Sequence, residues 1–147
     1  MSYEINHKIG VKASPEDAYQ ALTQPSRLAQ WWTSDTRGDS RVGGTLEFWF
    51  GNFCQKFEVL ELKPGELVRW KAAREGMEEW PGTEVSFALS SDAKQTSIRF
   101  RHSGWSENTP FHAHCSMKWA TFMLSLKDLL EKGEGRPAPR DLAIDYF

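Results

Sequence analysis

Apolar and polar positions alternate in six stretches of the chain and recur at helical spacing in one long one. At 3–11, YEINHKIGV sends Ile5, His7, Ile9 and Val11 to one face and Glu4, Asn6, Lys8 and Gly10 to the other, the pattern of a half-buried strand. Ser14-Pro15-Glu16-Asp17 then offers a capping hydroxyl, a proline at the first helical position and two acids where the helix dipole favours them. A short helix follows with Ala18, Tyr19 and Leu22 turned inward. Gln24-Pro25 interrupts it, and Ser26 is placed to cap a second short helix that ends in Leu28, Trp31 and Trp32.

Residues 33–44 are polar and glycine-bearing and read as a loop. Strands are expected at 45–50, 53–62, 66–72, 83–90 and 95–102, separated by Lys63-Pro64-Gly65, Trp80-Pro81-Gly82 and Ser91-Asp92-Ala93-Lys94. Connections this short imply antiparallel neighbours. From about 108 to 132 the period changes. Phe111, Cys115, Trp119, Phe122, Leu126, Leu129 and Leu130 share one side of a helix, and Gly133 is a stop signal. Residues 133–147 form an extended tail in which Leu142, Ile144, Tyr146 and Phe147 are available to dock back on the body. The order predicts one α+β domain spanning 1–147: a curved six-stranded antiparallel sheet wrapped around a long C-terminal helix, with two short helices after the first strand.

Composition narrows the function. The 147 residues carry 18 Lys+Arg against 20 Asp+Glu, a formal charge of −2, which lacks the basic field a nucleic-acid binder requires. No apolar run reaches the ~18–20 residues of a membrane span, and the N-terminus has no basic segment followed by an apolar one. Two cysteines, Cys54 and Cys115, do not make a disulfide framework, so a cytoplasmic location is expected. Seven Trp, nine Phe and three Tyr are heavy aromatic content for this length, and stiff aromatic walls suit either a dense core or an enclosed cavity.

Several segments, in this order and spacing, resemble a known family: ASPEDAYQALT at 13–23, LAQWW at 28–32, RVGGTLEF at 41–48, ELVRW at 66–70 and KWATFMLSLKDLLEKG at 118–133. They are similar to the single-domain relatives of the activator of the heat shock protein 90 ATPase, within the START-like superfamily of helix-grip folds. The chain departs from that pattern at Phe53-Cys54-Gln55-Lys56 and in an extra segment at 75–80. The resemblance implies a six-stranded sheet gripping the terminal helix. It implies three kinds of activity: carriage of hydrophobic small molecules, regulation of a chaperone ATPase, and polyketide cyclase- or hydrolase-like catalysis. Fold does not choose among them. Eukaryotic-type activators pair this domain with a second one, for which 147 residues leave no room, so chaperone regulation ranks below ligand binding.

Alternation turns His7, Phe48, Phe50, Phe57, Trp70, Phe87, Phe100 and His102 towards the long helix. Trp119, Phe122 and Met123 look back at them, with His112 at the edge of the apolar face. Together with Trp31 and Trp32 these fourteen residues are the expected wall of a site for a small hydrophobic or aromatic ligand. The other reading is that they simply fill the space. Adjacent indoles in a helix diverge by about 100°, so one of Trp31 and Trp32 is expected at the pocket mouth with the other packed below. Trp80 and Trp105, in turns, are candidates for a rim, a loop anchor or a dimer contact.

His7, His102 and His112 are the residues an acid–base mechanism would use, but no carboxylate is placed beside them and each is better read as a core histidine. His112-Ala113-His114-Cys115 contains zinc-ligand types. On a helix the two imidazoles point about 200° apart, leaving only His112 and Cys115 on one face. Gly43-Gly44 lacks the Lys-Ser/Thr of a phosphate loop. The expectation is a non-enzymatic domain with no metal and no cofactor. Met117 and Leu124, off the main stripe, allow either a monomer or a homodimer.

Overall fold

The computed structural model describes residues 2–145. The chain runs β1 (Tyr3–Val11), α1 (Pro15–Thr23), α2 (Pro25–Leu28), β2 (Asp35–Gly38), β3 (Thr45–Phe50), β4 (Phe53–Lys63), β5 (Leu67–Ala72), β6 (Glu84–Ser91), β7 (Thr96–Trp105) and α3 (Pro110–Lys132). All seven strands lie in one antiparallel sheet of order β1-β7-β6-β5-β4-β3-β2. β2 to β7 form a meander, and β1 joins its far end by pairing with β7 from Val11↔Thr96 to Tyr3↔Trp105.

The sheet therefore has one strand more than the six expected. Asp35–Gly38 pairs with Trp49–Leu46, and its four residues are half-buried or exposed and carry no apolar alternation. An edge strand this short and polar leaves no period for sequence reasoning to detect.

Local signals hold at the helix ends. The Ser14 hydroxyl accepts from Asp17 N–H with Pro15 following, and the Thr109 hydroxyl accepts from His112 N–H with Pro110 following. Gly133 closes α3 at φ 83°, a left-handed cap that a side chain would strain. Ser26 does not cap α2. That place is taken by Gln24, whose side chain makes no capping bond. α2 stops at Leu28, so Trp31 and Trp32 lie in the turn beyond it and their rings stack, 6.2 Å apart at 19°, rather than diverging. Both are buried, and the Trp31 indole N–H is satisfied by the Ala21 carbonyl at 2.8 Å.

A β-bulge between Val59 and Glu61 bends β4 and helps the sheet curl over α3. The hollow it makes is filled mainly by aromatic rings. Trp32 sits at the centre, with its centroid 4.1 Å from Phe48, 4.8 Å from Trp119, 6.1 Å from Phe57 and 6.3 Å from Trp70. Phe87 and Phe100 continue the cluster towards β7, 5.3 Å apart, with Trp119 4.5 Å from Phe100.

Beyond Gly133 the chain turns back and crosses the body. The Ser125 hydroxyl donates to the Trp31 carbonyl and accepts from Arg136 N–H. Ala138 bonds the Trp32 carbonyl through its N–H at 2.7 Å and Ser34 N–H through its carbonyl at 3.0 Å. This terminal strap is seen to Asp145. Leu142 is exposed, Ile144 half-buried, and Tyr146 and Phe147 lie outside the described residues.

Candidate functional site

A half-open cavity of about 560 Å³ remains at one end of the hollow. The N-terminal half of α3 supplies Phe111, His114, Cys115, Lys118, Trp119 and Phe122, and Trp32 and Thr33 form the floor. Opposite them stand Phe50 and Gly51 of the β3–β4 hairpin, Met77 and Trp80 of the β5–β6 loop, and Ala138, Pro139 and Asp141 of the strap. Gly51, at φ 67°, takes the first place of a two-residue hairpin turn that demands a positive φ and a residue without Cβ.

The two segments that depart from the family pattern touch one another here. Gln55 is fully buried and its side-chain oxygen accepts from Met77 N–H at 2.8 Å, which pins the β5–β6 loop against the sheet as a cavity wall. Thr109 ties the same loop to the start of α3 by donating to Glu79 at 2.6 Å.

Of the fourteen residues expected to form the ligand wall, Trp32, Phe50, Trp119 and Phe122 line this cavity. Trp31, Phe48, Phe57, Trp70, Phe87, Phe100 and Met123 are packed in the core beneath it. Alternation told which side of the sheet they occupy, but not that their rings close on each other. Trp80 is buried and lines the cavity, whereas Trp105 is buried at the end of β7 against His112 and His102 and so does not reach its edge. Cys115, on the apolar stripe of the long helix, and His114, which the sequence offers only as a zinc-ligand type, both line the cavity. The strap residues carried no sequence signal beyond a tail able to dock.

The histidines do separate structural jobs. His102 is fully buried with both ring nitrogens bonded. The Trp119 indole N–H donates to Nδ1 at 3.1 Å, so Nε2 carries the hydrogen and donates to the Thr83 hydroxyl at 2.8 Å, which in turn donates to the Trp80 carbonyl. This chain of donors has a single direction and needs neutral imidazole. Burial, reinforced by the nearby His112, lowers the His102 pKa to about 3.

His7 bridges β1 to α3 by donating from Nε2 to the Ser116 carbonyl at 3.0 Å. His112 stands edge-on to Trp105, and its Nε2 is buried with no hydrogen-bond partner among the described residues. His114 donates from Nδ1 to Asp145 at 2.8 Å and stacks on Phe111. His112 and His114 thus engage different partners.

Cys115 lies in the cavity wall, but burial pushes its thiol up to about 12, against a smaller pull from the Trp80 indole N–H. At neutral pH it is a small apolar wall residue rather than a nucleophile. The lysine in the lining is Lys118. Its ammonium lies 2.5 Å from an Asp141 carboxylate oxygen, 2.8 Å from the Leu142 carbonyl and 5.9 Å from the Phe122 ring centroid.

A strongly curved antiparallel sheet closed by one long terminal helix, with an aromatic cavity at the helix N-terminal end, defines a helix-grip protein of the START-like type. A family model described as "Activator of Hsp90 ATPase homolog 1-like protein" matches residues 12–131, and the chain belongs to that family. It is 50% identical to the protein in the solution structure of the Aha1 dimer from Colwellia psychrerythraea, covering 90% of this chain and 99% of that one at a TM-score of 0.84. MLL2253 from Mesorhizobium loti (20% identity, 90% and 99% covered, TM-score 0.78) and CalU16 from Micromonospora echinospora (24%, 94% and 77%, 0.70) share the fold. No curated protein matches the chain. None of the described helices is long and apolar enough to cross a membrane.

Proposed function

We propose that this protein is a non-enzymatic START-like domain that holds a small hydrophobic or aromatic molecule in the cavity beneath the strap. The observation that carries the reading is an open space of about 560 Å³ walled by Trp32, Phe50, Trp80, Trp119 and Phe122. That volume falls within the roughly 300–1,000 Å³ of sites for drug-sized ligands, whose walls are apolar with a few polar groups. The non-enzymatic part rests on the occupied Nε2 of His7, the two occupied ring nitrogens of His102 and the raised Cys115 thiol. With its cysteines free, the domain is placed in the cytoplasm by the same proposal.

The test is titration with the neutral dye N-phenyl-1-naphthylamine, following quenching of tryptophan emission. At ~0.3–0.4 kcal/mol for each of about 17 non-hydrogen atoms, the expected Kd is about 10–200 μM. Emission that does not saturate, or does not change, overturns the reading.

The dimeric Colwellia relative supports a further element, a homodimer. Met117 and Leu124, seven residues apart on α3, are both exposed. In light scattering the chain is expected to run as a dimer and Leu124→Lys as a monomer; a monomeric parent chain removes this element. The family description likewise supports contact with a chaperone ATPase, which heat of binding to that chaperone would register.

A further inference from the structure

The strap that roofs the cavity is attached in two different ways. At Ala138 it is bonded to the body through backbone groups on both sides, to the Trp32 carbonyl and to Ser34 N–H. Beyond that point it is latched through two side chains: Asp141 and the Leu142 carbonyl on Lys118, and Asp145 on His114. Leu142, the apolar residue best placed to help, is instead half exposed. Ala138 is therefore a fixed pivot, and the part that covers the cavity hangs on two side chains of α3 that also line it.

From this arrangement we propose that the cavity takes an apolar carboxylic acid whose carboxylate replaces Asp141 on Lys118, making the strap a built-in competitor for its own site. The proposal rests on the hydrophobic-ligand reading above and names the polar end of that ligand. Lys118 and Asp141 are sheltered, their side chains 24% and 14% exposed, so this pair is worth more than a surface ion pair and more costly to break on one side only. A neutral molecule that lifts the strap leaves the Lys118 ammonium without its counter-ion in a largely apolar wall. A carboxylate that lifts it restores the same charge-assisted hydrogen bond, while Asp141 moves out to water, where an aspartate is well solvated. The aromatic walls take the rest of the molecule, with Phe122 already beside the ammonium. The chain thus shows, with its own aspartate, the anion that fits.

The experiment compares 2-naphthoate with the neutral 2-naphthylmethanol by calorimetry on the full chain, Asp141→Asn and Lys118→Met, with thermal melts confirming that each variant folds. Naphthoate is expected to bind the Asp141→Asn chain at least about fivefold more tightly than the parent. Naphthylmethanol, which lifts the same strap, is expected to gain by a similar factor but to stay at least about fivefold weaker than naphthoate on both chains, and Lys118→Met to abolish that preference for the acid. Equal binding of the two probes to the parent and to Asp141→Asn overturns the proposal and leaves hydrophobic binding intact. So does naphthoate affinity that ignores both substitutions. Failure of both probes on all three chains removes the hydrophobic-ligand reading, and this proposal with it.

Discussion

Replacing His102 with glutamine should flatten the acid side of the stability curve while leaving stability near pH 7.5 within about 1 kcal/mol of the parent. The reason is the buried donor chain through His102. Trp119 N–H needs an acceptor and Thr83 needs a donor, and a glutamine amide supplies one of each. In the folded protein the imidazole titrates at about 3, against 6.5 for the free side chain. Below pH 6.5 the unfolded chain therefore takes up a proton that the folded chain refuses. Stability is full above pH 6.5 and falls as the pH drops towards about 3, by roughly 1.4 kcal/mol per unit.

By pH 4.5 that amounts to about 3 kcal/mol, which the glutamine variant should not lose. Glu4 and Glu131, held below the usual carboxylate range by Arg101 and by Lys12 N–H, titrate in both proteins, so the difference between the two isolates His102. His102→Ala should lose about 2–4 kcal/mol even at pH 7.5, because it leaves a void and two orphaned partners. Urea unfolding at several pH values measures all three proteins. Parallel pH curves for parent and glutamine variant would mean that the imidazole is not neutral in the fold.

Trp32→Ala should be the most damaging single substitution in the aromatic core, costing about 3–5 kcal/mol. The ring touches Phe48, Phe57, Trp70 and Trp119, which belong to β3, β4, β5 and α3, and stacks on Trp31. Removing it empties the gap between β3–β5 and α3 that the ring fills, and opens the floor of the cavity into the core. Against a typical domain stability of about 5–15 kcal/mol, the loss should appear as a large drop in the urea midpoint with collapse of the near-ultraviolet circular dichroism. Trp32→Phe, which keeps an aromatic ring in the gap, should cost less than half as much. A loss below about 1 kcal/mol for the alanine variant would place Trp32 at a loose cavity edge instead of the centre of the core.

Trp32 also shows where sequence reasoning stops. Two adjacent tryptophans were expected to diverge by helical geometry, but α2 ends at Leu28 and the turn that follows lets both rings lie on one side. Phe48, Phe57, Phe87 and Phe100 were placed on the correct face by alternation, yet whether a face meets a ligand or another face depends on how deeply the sheet curls. A bulge at 59–61, for which periodicity has no signature, contributes to that curl.

What could be read from the chain alone is whatever neighbouring residues settle between themselves: the strand and helix periods, the Ser14 cap, the Gly133 stop, and the family that their order implies. The edge strand at 35–38, the direction of proton donation through His102, and a cavity built from five separated parts of the chain appear only after folding. These depend on contacts between residues far apart in sequence, such as Lys118 with Asp141 and Gln55 with Met77. No local pattern encodes them, because the free energy that selects such contacts is gained only when the whole sheet has closed over the helix.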